Sequence, residues 1–125
     1  MNFIETPDAP KPGGHYSQAV VHGDLVFVAG QLPIDPATGK PVLGSVEEQT
    51  RLTLKNVEAI LRAAGSSLDR TLRATVYVSD VSHWPKVNAV YGEVFGAHRP
   101  ARTVVPTGPL HHGVAVEIDV IAAKS

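Results

Sequence analysis

Short apolar runs, the pattern typical of β-strands, occur in both halves of the chain. Five runs qualify: residues 17–21, 25–29, 71–78, 101–105 and 114–121. The second run is almost wholly apolar, so we expect both of its faces to be covered. In the third run the side chains alternate between two faces, which places Leu72 on the same face as Ala74, Val76 and Val78.

Two longer segments have the apolar spacing of amphipathic helices. The first is predicted over residues 46–64, because Ser45 and Glu48 form a capping box before it and Gly65 provides a C-terminal stop. The second is predicted over residues 84–95, where a proline in the first turn fits a helix start. Its apolar stripe consists of Trp84, Val87, Val90, Tyr91, Val94 and Phe95.

The predicted element order is β-β-α-β-α-β-β, with no internal repeat or linker, so residues 1–125 form a single domain. Residues 6–14 are rich in proline and glycine and predict an irregular lead-in, and residues 33–44 predict a loop of turns. Strands mixed with two long helices indicate an α+β fold, with one sheet and both helices on one of its faces. Two helices cannot cover both faces, so the second face is left for partners and the sequence predicts an oligomer.

Composition excludes several classes of function. The 11 basic and 12 acidic residues give a net charge of −1, which provides no positive surplus for binding nucleic acid. The chain has no cysteine, which excludes disulfides, thiolate catalysis and cysteine zinc sites. Its six histidines lack metal-site spacing, so we expect no metal and no other cofactor. No signal peptide or membrane-spanning run is recognisable, which predicts a cytoplasmic protein.

Charged residues inside otherwise apolar strands are the candidates for chemistry. Arg102 lies in the run 101–105, and Glu117 and Asp119 lie in the run 114–121. A buried charge is costly unless it is paired or used in a site. Two interpretations stay open, because alternation would also place Glu117 and Asp119 on the solvated face of an antiparallel sheet.

The residue types suggest how such a site would work. Arg102 presents a planar fork that matches a carboxylate, although it could instead pair with Glu117 from the next strand. Glu117 is a candidate proton carrier. Gly30 ends the second strand, where it permits a close approach, an unusual dihedral angle or a bulge. Asn88 lies at the edge of the second helix stripe, where it either needs a partner or is wet by solvent.

Four segments, in order along the chain, resemble the motifs of one protein family. They are HYSQAV at residues 15–20, VFVAGQLPIDPATG at 26–39, PAR at 100–102 and VEIDVIA at 116–122. Together they resemble the Rid family of imine deaminases, also called YjgF-type, over nearly the whole chain. The resemblance implies a chorismate-mutase-like fold and a homotrimer, in which the sheets form a central barrel and the sites lie in clefts between subunits.

The resemblance also implies roles for individual residues. The arginine matching Arg102 binds the substrate carboxylate, and the glutamate matching Glu117 positions or activates a water molecule. Tyr16 would close the pocket from the N-terminal side, Gly30 would contribute backbone polar groups, and two further substrate-binding positions would be Asn88 and backbone at Val104. The implied reaction is hydrolysis of 2-imino acids, such as 2-iminobutanoate and 2-iminopropanoate, to 2-oxo acids and ammonia, without a cofactor.

The chain departs from the family pattern at three places: Ala29 replaces a frequent serine, Val104 a frequent cysteine, and residues 105–113 carry extra glycine and histidine. These departures bear on substrate preference more than on reaction type. Alternatives stay open: a non-catalytic trimer that binds small carboxylates, an endoribonuclease, or an enzyme with a chorismate-mutase-like reaction.

Overall fold

The five predicted strands and two predicted helices are all present in the computed structural model, which describes residues 1–125. The strands are β1 (Asn2–Ile4), β2 (Ala19–His22), β3 (Leu25–Gln31), β4 (Ile34–Asp35), β5 (Lys40–Pro41), β6 (Thr71–Val78), β7 (Ala101–Pro106) and β8 (Val116–Ala123). The helices are α1 (Val46–Ala63) and α2 (Trp84–Phe95). The sequence did not predict β1 or the small β4–β5 hairpin.

A six-stranded mixed sheet organises the chain, in the order β1-β2-β3-β8-β6-β7. All neighbouring strands run antiparallel except β6 and β7, which are parallel and are joined through α2. The two helices pack on one face, where the core includes Leu54 and Ile60 of α1, Val87 of α2, and Val76 and Ile118 of the sheet. Each such large apolar side chain contributes about 1.5–3 kcal/mol on burial. The predicted α+β architecture is confirmed.

The first helix begins as the sequence predicts. The Ser45 hydroxyl accepts a hydrogen bond of 3.1 Å from the backbone N–H of Glu48, and Gly65, after the helix, has a φ of +79°. The polar Gln49 is buried on the same helix because it bridges two segments. Its side chain accepts from the Ala115 N–H at 2.8 Å and donates to the Gly44 carbonyl at 3.0 Å. This bond keeps Ala115 outside the ladder, so β8 begins two residues later than predicted.

The sheet face away from the helices is not covered by this chain, so cover on both faces of the second strand stays a prediction that depends on a partner. Phe3, Val20, Phe27 and Ile121 stand in register across four strands on that open face. Phe3 is 70% exposed, Phe27 41% and Leu25 37%. The strand is almost wholly apolar although this single chain covers only its helix side.

The predicted position of Leu72 is also wrong. Leu72 is 49% exposed, whereas Thr71 before it is buried, because the pairing with β8 shifts register between Thr71 and Arg73. A one-residue irregularity of this kind reverses which face each side chain meets. The alternation from Ala74 to Val78 follows the prediction.

Buried Gln18 ties the irregular lead-in to the sheet. Its side chain accepts from the Thr6 N–H at 2.7 Å and donates to the carbonyls of Thr6, Ala9 and Pro10 at 3.0 to 3.3 Å. A single amide therefore satisfies several backbone groups that no regular element serves. Neither helix combines the length and the apolar character needed to cross a membrane.

Candidate functional site

The Glu117 carboxylate lies directly against Gly30. Glu117 is on β8 and Gly30 is near the end of the adjacent β3, where the ladder shifts register between Val28 and Gln31. A Cβ built on Gly30 would collide with Oε2 of Glu117 and would lie 3.1 Å from its Cδ. Glycine is therefore needed here for close approach, at an irregular point of the strand, and not for a left-handed backbone.

Partial burial shapes the electrostatics of Glu117. Loss of solvent raises the pKa of the Glu117 carboxyl, the charge of Asp119 raises it further, and a positive charge on His111 lowers it. Asp119 has a local partner, because the Tyr77 hydroxyl donates to it at 3.0 Å. Burial and this hydrogen bond raise the pKa of Tyr77. Glu117, rather than Asp119, is thus the carboxylate open to a ligand.

A groove of about 600 Å³ opens beside Gly30. Tyr16 and Gln31 line it together with His111 and His112 from the β7–β8 loop. The Tyr16 hydroxyl accepts a hydrogen bond of 3.3 Å from the Gly13 N–H, while Tyr16 as a whole remains 54% exposed. Of the predicted site residues, Tyr16 and Gly30 therefore line one groove, and Glu117 contacts Gly30.

Arg102 belongs to a second cluster, built on β7 and α2. Its guanidinium carbon lies 4.5 Å from the ring centroid of Trp84 and 4.8 Å from that of Tyr91, and Nη1 donates to Oδ1 of Asn88 at 3.0 Å. The faces of such rings attract the positively charged guanidinium, and the hydrogen bond to Asn88 fixes the orientation of the guanidinium plane. Asn88 is exposed to solvent and also has a polar partner in Arg102, so both interpretations made from the sequence apply to it. Val104 shares the Arg102 face and is half-buried beside Val76.

Arg102 and Glu117 do not pair, which corrects the alternative of an ion pair between neighbouring strands. Strand β6 separates their two strands. Arg102 is in register with the buried Ala74, on the helix side, and Glu117 is in register with Tyr77, on the open side. Because Ala74 and Tyr77 are an odd number of residues apart, the two charged side chains project from opposite faces.

Sequence reasoning treated Trp84 and Tyr91 only as parts of an apolar stripe. A signal for their second role was present, because Trp84, Asn88 and Tyr91 follow one another at helical spacings of four and three and share one helix face. Only the parallel pairing of β7 with β6 shows that Arg102 lies over that face. Sequence reasoning expected loop histidines at the rim of a pocket, where His111 lies, but gave them no role in the chemistry. No three histidine, aspartate or glutamate side chains are arranged to hold a metal ion.

The comparisons with known proteins agree with this fold. The family model described as Endoribonuclease L-PSP matches residues 6–124. The chain belongs to this family, which is the YjgF/RidA or Rid family. A RutC family protein from Pyrococcus horikoshii is 49% identical over 121 residues, which cover 97% of this chain and 96% of that protein.

Two solved structures show how closely the Rid fold is kept. A protein from Thermotoga maritima is 47% identical and superposes with a TM-score of 0.96, covering 100% of this chain and 98% of that one. TdcF from E. coli, solved with bound serine, is 38% identical with a TM-score of 0.94 and covers 100% of both chains. The resemblance found in the sequence motifs is thus confirmed at the level of family and fold.

Proposed function

We propose that this Rid protein hydrolyses reactive 2-imino acids, of the 2-iminobutanoate and 2-iminopropanoate type, to 2-oxo acids and ammonia. The observation that supports this most is the state of Arg102. Two rings and Asn88 hold its guanidinium, and Arg102 is exposed. A guanidinium fixed in this way binds a small carboxylate at two points.

Glu117 would hold and activate the water. As the water oxygen bonds to the imine carbon, the carboxylate accepts one of its protons, which passes to the nitrogen to give the carbinolamine. The hydroxyl proton of the carbinolamine is then transferred to the nitrogen, and ammonia leaves as the carbonyl forms. The contribution required from the protein is orientation and proton transfer, which together typically lower a barrier by several kcal/mol. The serine bound in the structure of E. coli TdcF favours a ligand with an α-carboxylate and an α-nitrogen.

The two clusters are on opposite faces of one chain, so a cleft that contains both must use two copies. We propose the homotrimer that the family resemblance implies, in which the cluster of Arg102, Asn88 and Val104 of one copy closes over the groove of Tyr16, Gly30 and Glu117 of the next. The open sheet face with Phe3 and Phe27 supplies apolar surface for such an assembly. Light scattering should give a mass near three times 13.2 kDa.

The decisive assay generates 2-iminobutanoate in place with a threonine dehydratase and follows formation of 2-oxobutanoate. The wild type should accelerate this step, and Arg102→Ala and Glu117→Gln should each return the rate to the uncatalysed one. Arg51→Ala and Glu58→Gln are matched controls on the surface of α1, where those side chains pair with Glu93 and Arg62, and should keep full activity. Binding of 2-oxobutanoate without acceleration would favour the non-catalytic carboxylate-binding alternative.

The matched family is described as Endoribonuclease L-PSP, which supports a second candidate, an endoribonuclease. RNA cleavage at this site would also use Glu117 as a base, so a separate RNA assay is needed to distinguish the two functions. The test is degradation of a labelled single-stranded RNA by repurified protein. Cleavage that Glu117→Gln abolishes would establish it, and cleavage that survives in both variants would mark a contaminant.

A further inference from the structure

The β7–β8 loop presents two imidazoles to the groove. Residues His111–Gly113 form a short helical turn in which His112 has a φ of 61°, a left-handed conformation uncommon outside glycine. The turn brings the rings of His111 and His112 to 4.0 Å between centroids. Both rings line the same groove as Tyr16 and Gly30.

His111 is the residue of this pair that acts on Glu117. The Glu117 carboxylate lies against Gly30, and Gly30 and His111 line the same groove. A positive charge on His111 lowers the pKa of that carboxyl. The other groups that face Glu117 are Asp119 on the same strand and Tyr77 on β6, which bond to each other. Lys11 and His112 are the remaining basic groups of the groove.

Addition of water to an imine requires two proton movements at different atoms. The attacking water must lose a proton, and the nitrogen must gain one to become the amine of the carbinolamine. A single carboxyl can serve both only in succession, whereas an imidazolium beside it can supply the second proton directly. An imidazole ordinarily titrates near pH ~6.5, which suits such a donor at neutral pH.

We propose that His111 is a further catalytic residue, the general acid that protonates the departing nitrogen while Glu117 takes the proton from water. This proposal rests on the proposed deaminase function. In the first step the water oxygen forms its bond to the imine carbon and gives a proton to Glu117, while the C=N π-bond breaks and the nitrogen, which takes its electron pair, is protonated by His111 to give the neutral carbinolamine. In the second step Glu117 passes its proton to that nitrogen, the C–N bond breaks and ammonia leaves. The hydroxyl proton moves to His111 as the carbonyl forms, which restores both groups.

The test is the pH dependence of kcat/KM for in-place 2-iminobutanoate, divided at each pH by the uncatalysed rate. The wild type should lose activity at acid pH, as Glu117 is protonated, and at alkaline pH, where a general acid is no longer able to donate. His111→Gln should abolish the alkaline limb and lower kcat by about 100-fold, the lower end of the range for general acids. His22→Gln, an exposed histidine at the end of β2, is the control and should match the wild type.

A second measurement tests the effect of His111 on the pKa of Glu117 independently of catalysis. Carboxyl ¹³C NMR should show the pKa of Glu117 rising in His111→Gln and staying unchanged in His22→Gln, because a positive charge on His111 lowers that pKa. Retention of the wild-type profile by His111→Gln, while Glu117→Gln is inactive, would overturn the role of His111 and leave the deaminase function standing. Loss of the alkaline limb in His112→Gln instead would overturn the assignment to His111. A wild type that does not accelerate hydrolysis would overturn both proposals.

Discussion

Arg102 and Glu117 project from opposite faces of one six-stranded sheet, because Arg102 stands in register with Ala74 and Glu117 with Tyr77. No single chain can therefore bring the guanidinium and the carboxylate to one small substrate. Under the proposed mechanism each face of the molecule carries one half of the site, and activity requires assembly.

Mixing two inactive variants tests this relationship. When Arg102→Ala and Glu117→Gln chains are co-expressed in equal amounts, we expect activity of about one quarter of the wild type, because that fraction of clefts combines an intact arginine with an intact glutamate. The measurement is 2-oxobutanoate formation by the mixed trimers, with each variant alone as the control. An inactive mixture of correctly assembled trimers would show that both residues must come from the same chain.

The contact between Gly30 and Glu117 predicts a selective defect. In Gly30→Ala the new methyl group would meet the end of a flexible side chain, so Glu117 should turn aside, with a small change in stability and a loss of deaminase activity. Gly92→Ala is the matched control, because nothing lies within 4 Å of its Cβ position. In the middle of α2 that substitution should raise stability by about 0.5–1 kcal/mol. Thermal melts and kcat measure the two effects, and full activity in Gly30→Ala would contradict the first.

The raised pKa of Glu117 predicts a pH-dependent effect on stability. Its ordinary value is 4.5, and burial makes the folded chain hold this proton more tightly than the unfolded chain does. Stability is therefore lost as the pH rises from the ordinary value through the raised one. The melting temperature of Glu117→Gln relative to wild type should increase across that window and then stay constant. Melts between about pH 4 and 8 check this, with Glu58→Gln as the surface control. A constant difference at every pH would be inconsistent with the burial effect.

The hydrogen bond from Arg102 to Asn88 predicts a binding defect. Asn88→Ala removes the 3.0 Å contact that fixes the guanidinium and should raise KM by roughly 5- to 10-fold with a smaller change in kcat, as expected for about 1 kcal/mol. Lys86→Ala, on the same helix and exposed, is the control. A fall in kcat at unchanged KM would assign Asn88 to the chemical step.

Tyr91 predicts a gain in stability. Its hydroxyl is buried without a hydrogen-bond partner, while its ring lies against the Arg102 guanidinium. Tyr91→Phe keeps the ring and removes the unsatisfied group, so the free energy of unfolding should rise by up to about 1 kcal/mol. Denaturant titration measures this, with Tyr91→Leu expected to destabilise the chain through loss of packing. A less stable Tyr91→Phe would indicate that the hydroxyl gains a partner in the assembled protein.

Much of the fold could be predicted because its signals are local. The capping box at Ser45, the stripe of α2 and the alternation of β8 depend on residues a few positions apart. The position of Leu72 was wrong because a register shift is set by the pairing of two strands and leaves no mark on either strand alone. The exposed apolar face of β3 could not be predicted either, because the sequence of an apolar strand does not show which element or which chain packs against each of its faces.

The candidate site was also predicted only in part from the sequence. Sequence by itself selected Arg102, Glu117, Gly30, Tyr16 and Asn88, through charges placed in apolar strands and through motifs that a family shares. Only the tertiary structure decided how they are grouped: the strand order inserted β6 between Arg102 and Glu117, and the register sent them to opposite faces. The physical reason is that residue type fixes which chemistry a side chain can perform, whereas its neighbours are fixed by hydrogen bonds between strands far apart in the chain.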